Sequence, residues 1–252
     1  MMDSFRIVFE LRPLVDVAPW GDPEKGLKLH WFGLTDGWYD VVIGQHRLYS
    51  FLGETRGIDY QCVRLWEDLI EVAPYALEAV PEPLASRLAD LDAWTAWVEK
   101  AWELDDREEF SAALEWWFQR QLSAIHLVGA PTLQIWRCDD ELHLSWTSVP
   151  QESDVPTWSS PNGRATTNAN AFQEELTKFD RELISAMSTR ISEVEQNWSR
   201  SEIAIDVDVL RGEQADRSTW LQRALHEPRD GVRSWDEVME AVIALENRIG
   251  AP

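Results

Sequence analysis

Phe5, Ile7, Phe9 and Leu11 alternate with Arg6, Glu10 and Arg12, the period of a strand that buries one face. Downstream, residues 27–32 and 38–43 read as strands joined across residues 33–37, where Gly33 and Gly37 permit turn dihedrals. Trp31 and Trp38 flank that turn and are expected to pack together across the hairpin. A further strand is predicted over Leu48–Phe51, after a turn at Gly44–Arg47. From Ile58 the period becomes helical: Ile58, Cys62, Leu65, Trp66, Leu69, Ile70 and Ala73 recur at steps of three and four, and Pro74 should stop or kink this helix. Leu84, Leu88, Leu91, Val98 and Trp102 form a second stripe, and Phe110, Leu114, Trp117, Phe118, Leu122 and Ile125 a third.

A second hairpin follows. Leu133 and Ile135 alternate with Gln134 and Trp136, the turn is Cys138–Glu141, and Leu142, Leu144 and Trp146 alternate on the return. Residues 148–168 are polar and proline-rich and read as an exposed loop. A long helix then carries Phe172, Leu176, Phe179, Leu183, Met187, Ile191, Val194 and Trp198 on one stripe, with Asn170 and Gln173 as its capping pair. Residues 203–209 alternate like an edge strand, a helix is predicted near Glu213–Leu225, and Ser234 with Glu237 forms a capping box for a last helix. The fold class is α+β: two antiparallel hairpin regions separated by about three amphipathic helices, then a long helix and a helical C-terminal part. Residues 1–150 form the α+β region, 151–168 the loop, and 169–252 a mainly helical part packed on the first.

Composition narrows the possible partners. With 44% hydrophobic residues the chain supports a folded core, and its fifteen tryptophans supply large rings for it. The net charge of −22 disfavours nucleic acid and anionic membrane and favours a basic protein partner. Cys62 and Cys138 lack metal-ligand spacing and read as buried thiols, and no metal or cofactor is expected. The N-terminal residues carry an early acid and no secretory pattern, and no window approaches the ~18 apolar residues of a membrane span. A cytoplasmic location follows as the expectation.

Two constellations carry candidate chemistry. His30, Trp31, Asp36 and Trp38, with Trp66 and Glu67 from the adjacent helix, could line an aromatic pocket. Against this, Asp36 in a Thr-Asp-Gly turn has an ordinary role in bonding backbone N–H groups, so a corner of the fold is the leading reading. Asp139, Asp140, Glu141 and His143 are likewise turn residues. No serine-nucleophile elbow, phosphate loop, zinc-protease helix or Cys-x-x-Cys pair occurs, which weighs against an enzyme.

The second constellation is electrostatic. Glu67–Glu115 holds fourteen acids against three bases, a net −11 and half the charge of the chain. Such a face steers a basic partner, or is merely solvated. Trp97, Glu99, Trp102, Glu103, Asp105, Asp106, Glu108 and Glu109 form the candidate partner-binding set, with tryptophans as anchors; Trp94 and Trp116 are interleaved with them.

The stretches FELRPL, LHWFGLTDGWYDV, DYQCVRLWEDLIE, LQIWRCDDELHLSW and FQEELTKFDRELISAMSTRISEV resemble an uncharacterised family of bacterial proteins, over most of residues 5 to 225. The WFGLTDGWY box and the RLWEDL helix are the most specific parts. The resemblance implies a bacterial cytosolic protein and carries over no catalytic residues. In general look the chain is similar to immunity proteins that neutralise antibacterial toxins. An immunity or antitoxin-like protein occluding a basic toxin domain, such as a nuclease, is therefore the expected function. An enzyme or small-molecule binder using the pocket around Trp31, Asp36 and Trp38 is the alternative.

Overall fold

The computed structural model describes residues 2–22, 24–104, 106–149, 157–229 and 231–252. Its first strand, β1 (Phe5–Leu11), pairs antiparallel along its whole length with β4 (Asp36–Ile43), from Phe5 opposite Ile43 to Leu11 opposite Gly37. The other edge of β4 is shared by β5 (His46–Arg47), across the turn at Gly44, and by β6 (Ile58–Gln61). A second antiparallel sheet has the order β10 (Asn162–Asn168), β9 (Glu141–Thr147), β8 (Thr132–Cys138), β7 (Gln121–Leu122). A third, small sheet joins β2 (Trp20–Asp22), β3 (Gly26–Lys28) and β11 (Ile203–Ala204).

Helix α1 (Cys62–Leu77) lies against both large sheets and carries its apolar stripe into the main core. α2 (Leu84–Arg87), α3 (Leu91–Trp102) and α4 (Arg107–Phe118) follow. The long α5 (Ala169–Asn197) packs Phe172 on Phe5 and Phe179 on Phe9, with ring centroids 4.8 and 5.2 Å apart. α6 (Val207–Arg217) and α7 (Trp220–His226) return to α5 and α1, and α8 (Trp235–Ile249) packs on α4. Two hydrophobic clusters result. The main one holds β1, β4, α1 and α5; the second holds α2, α3, α4 and α8. β8 serves both, with Leu133 and Ile135 in the first and Trp136 in the second.

The second hairpin lies as its alternation predicts, and Asp139 takes φ 53° in its turn, a conformation aspartate tolerates. Ser234 and Glu237 form the predicted capping box. Nine tryptophans are buried and only Trp20 and Trp102 are well exposed, which makes the rings mainly core. No helix among the described residues is long and apolar enough to cross a membrane.

Several local expectations change. The strands expected on either side of residues 33–37 do not pair: Gly33–Thr35 forms a 3-10 turn, β3 ends at Lys28, and β1 takes the edge of β4. β1 offers seven residues of matched alternation, which a short-range reading of the turn does not see. Leu48–Ser50 bends rather than extends, and only Phe51 makes a bridge, to Trp158. α1 continues through Pro74 to Leu77. Within the expected loop, residues 151–156 lie outside the described residues, while Asn162–Asn168 is strand β10. Its small polar residues hide the alternation, and pairing with β9 supplies the order. The cap of α5 is Asn168, whose Oδ1 accepts from the N–H groups of Asn170 (3.0 Å) and Ala171 (3.3 Å). Beyond Ala204 the expected edge strand gives way to α6, because Asp206 caps it by accepting from Val209 N–H at 3.1 Å. The helix expected near Glu213–Leu225 is broken at Ser218 and Thr219.

Candidate functional site

The aromatic pocket expected at the WFGLTDGWY box is filled by the protein itself. Trp31 and Trp66 are fully buried with ring centroids 6.3 Å apart, and Trp66 stacks on Trp220 at 5.5 Å. Arg217 of α6 enters between them, its guanidinium carbon 4.5 Å from the centroids of Trp31 and Trp220 and 5.8 Å from that of Trp66. Arg217 Nη1 donates to Glu67 Oε1 at 2.7 Å and Nε to Glu213 Oε1 at 2.9 Å. The indole N–H groups are also bonded, Trp31 to Gln214 Oε1 (2.7 Å) and Trp66 to Asp180 Oδ1 (2.9 Å). A cation held by three rings and two carboxylates is strongly fixed in a desolvated setting.

The other three residues of that expected pocket lie elsewhere. His30 sits among Trp20 and Phe32 and accepts the Gly33 N–H on Nδ1. Asp36 accepts from Arg12 Nε at 2.9 Å, and Trp38 donates to Glu10 Oε2 at 3.1 Å. Trp31 and Trp38 do not form the cross-strand pair: one belongs to the Arg217 cage, the other to the surface of the β1–β4 sheet.

The partner-binding set divides as well. Trp97 is 2% exposed and donates its indole N–H to Gly250 O, so it belongs to the second core with Trp94 and Trp116. Asp106 caps α4 by accepting from Glu109 N–H, and Arg248 pairs with both Asp106 and Glu109. Asp105 lies outside the described residues. Glu99, Glu103 and Glu108 are exposed and have no ion-pair partner among the described residues, and Trp102 is 57% exposed with Arg107 stacked on it at 4.1 Å. An aromatic ridge leads from there: Trp102 meets Phe110 at 5.1 Å, and Phe110 meets the exposed Phe118 at 5.8 Å.

Phe118 opens onto a cleft of about 440 Å³ between α1 and the segment following α4. Arg64, Asp68, Glu71 and Tyr75 line it from α1, opposite Gln121, Ser123 and the exposed Ile125. Behind Asp68 lies His126, whose side chain is 7% exposed; its Nε2 is 2.5 Å from the Tyr39 hydroxyl and its Nδ1 3.8 Å from Asp68 Oδ2. Burial pushes Asp68 up to about 6, with Glu67 and Glu71 adding to the rise and Arg64 opposing it. Burial lowers His126 to about 4, so the ring is neutral at pH 7. The Tyr39 and Tyr49 hydroxyls are raised by burial, and Tyr49 OH has no hydrogen-bond partner.

Sequence reasoning passed over this cleft. His126 stands alone in a loop, with no motif around it. One signal was present: Asp68 lies three residues from Leu65 and four from Val72, at the edge of the buried stripe of α1.

Among the described residues no group of three or more His, Cys, Asp or Glu side chains converges as a metal site. No curated protein and no solved structure matches the chain significantly. One family does, over residues 6–241, and the chain belongs to it: a family of unknown function (DUF5984).

Proposed function

We propose that this protein is a cytoplasmic bacterial binding protein that covers a basic partner, in the manner of an immunity or antitoxin protein occluding a toxin domain such as a nuclease. The observation that carries this reading is the pair of exposed rings Trp102 and Phe118, bridged by the buried Phe110, with the exposed Ile125 at the cleft beside Phe118 and carboxylates without ion-pair partners among the described residues around Trp102. Large apolar side chains exposed this close together mark interaction sites on a protein surface. Glu99, Glu103 and Glu108 border its Trp102 end, and the exposed Glu115 lies on the same face of α4 as Phe118. Carboxylates of this kind raise the association rate with a basic protein, and Trp102 supplies an anchor of the type that dominates binding energy.

The test is affinity capture with the tagged protein from its native cells, at low and high salt, with the captured protein identified by mass spectrometry. A single basic partner, weakened by salt, is expected. Association with it should slow when Glu99, Glu103 and Glu108 are all changed to Lys, and Trp102→Ala should speed dissociation. A partner indifferent to both variants would remove this face from the account.

A further inference from the structure

Helix α1 carries three neighbouring carboxylates, Glu67, Asp68 and Glu71, and among the described residues only Glu67 is in an ion pair with an arginine. Glu67, with Trp66 beside it, holds Arg217 inside the aromatic cage. Asp68 and Glu71, three residues apart and therefore on one face, look into the cleft with Tyr75, opposite the ring of Phe118. Asp68 has no arginine or lysine in an ion pair with it among the described residues; its neighbours are the neutral His126 and, without a direct pair, Arg64. Arg64, at the cleft, is bound to Glu67 Oε2 at 3.2 Å. The composition that grips Arg217, carboxylates beside aromatic faces, recurs in the cleft, where Arg64 is turned to Glu67 and leaves Asp68 and Glu71 without an ion-paired arginine among the described residues.

His126 is the second, independent sign. Nε2 of His126 shares a hydrogen bond of 2.5 Å with the Tyr39 hydroxyl, on the side of the ring away from Asp68. The buried Nδ1 of the same ring has no hydrogen-bond partner among the described residues and lies 3.8 Å from Asp68 Oδ2. In the tautomer that carries its proton on Nδ1, a small approach of Asp68 would give that N–H an acceptor and leave the second carboxylate oxygen for the cleft.

We infer that the cleft bounded by Asp68, Glu71 and Phe118 receives a guanidinium group, carried by an arginine side chain of the basic partner. The inference rests on the binding-protein reading for the source of that arginine, and on the cleft alone for its chemistry. Guanidinium fits better than ammonium because its planar fork can bond two carboxylates on one helix face while stacking on a ring. Phe118 offers that ring, since Arg229 already lies over Tyr75 at 4.6 Å. His126 acts as a positioning residue for Asp68.

The direct test titrates the protein with N-acetyl-arginine methylamide, with the uncharged citrulline analogue as control, and follows the ring resonances of His126 by NMR. Saturable shifts are expected with the arginine amide alone. Asp68→Asn should weaken binding about tenfold or more; Glu71→Gln should weaken it less, and Trp102→Ala should leave it unchanged. No saturable shift, or equal shifts with both amides, overturns the inference. The two readings separate cleanly. A captured basic partner indifferent to Asp68→Asn refutes the cleft as receptor while leaving the aromatic ridge in place. Saturable arginine-amide binding in a protein that captures no basic partner establishes the guanidinium site and assigns it to a free small molecule.

Discussion

The guanidinium of Arg217 lies 4.5 Å from the centre of the Trp31 ring, although strands β4 to β11 and helices α1 to α5 separate the two residues in the chain. Arg217 is 9% exposed and joins α6 to α1 through Glu67. Removing it leaves Glu67 with Arg64 alone, Glu213 without its cation among the described residues, and three rings around a void. Arg217→Met should cost about 2–4 kcal/mol in urea unfolding. Arg217→Lys should recover only part of it, because an ammonium cannot stack on Trp31 and Trp220 while bonding Glu67 and Glu213. A loss below about 0.5 kcal/mol, the size expected of an exposed pair, would show that the cage is not structural.

Asp68 should weaken the fold at neutral pH. Its folded-state value is raised from 3.8 to about 6, so the native protein holds the proton more tightly than the unfolded chain does. The stability this contributes is complete below pH 4 and is lost as pH rises through 6. Asp68→Asn should therefore raise the melting temperature at pH 8, by on the order of 1–3 kcal/mol of stability, with the gain gone near pH 4. Arg64, Glu67 and Glu71 on α1 and the neutral His126 face this carboxylate and set the size of the effect. His126, lowered from 6.5 to about 4, works in the opposite direction: its contribution is present above 6.5 and is lost as pH falls toward 4. Its part of the profile should persist in Asp68→Asn.

Glu78 ties the two cores together. It accepts from Arg120 Nη2 at 3.3 Å, Arg229 Nη2 at 3.1 Å and Trp235 Nε1 at 3.2 Å, immediately after α1. Arg120 is 1% exposed, and burial lowers it to about 10. Glu78→Ala leaves that cation without its carboxylate and should cost about 3–5 kcal/mol in chemical denaturation. Hydrogen exchange should quicken first in α8, which loses its contact through Trp235. Protection unchanged in α8 would refute this coupling.

Gly37 is required by space. A methyl group there would run into the carbonyl oxygen of Glu10 on the neighbouring strand, with the Leu11 backbone close behind. Gly37→Ala should part β1 from β4 at this point and cost about 1–3 kcal/mol or more. A variant that melts at the parental temperature would contradict the close approach.

What the sequence determined by itself are the elements whose burial leaves a period in the chain. Leu142, Leu144 and Trp146 alternate because β9 sends every second residue into the core, whereas β8 buries both of its faces, Leu133 and Ile135 in one cluster and Trp136 in the other. The stripe from Phe172 to Val194 repeats every three to four residues because α5 buries one side. The Ser234–Glu237 box is local chemistry, legible for the same reason. Tertiary structure alone decided the rest. Whether β4 pairs with β1 or with its predecessor depends on a partner about thirty residues away, and no local pattern encodes that choice. Trp97 and Trp102 share a helix and a composition, yet one is core and the other surface, because α8 covers only one of them. Which carboxylates are free was set by Arg248 and Arg217, arriving from distant helices. The cleft belongs to the same class: Tyr39, Asp68 and His126 come from a strand, a helix and a loop, and only packing puts a buried ring nitrogen beside a carboxylate that has no ion-paired arginine or lysine among the described residues.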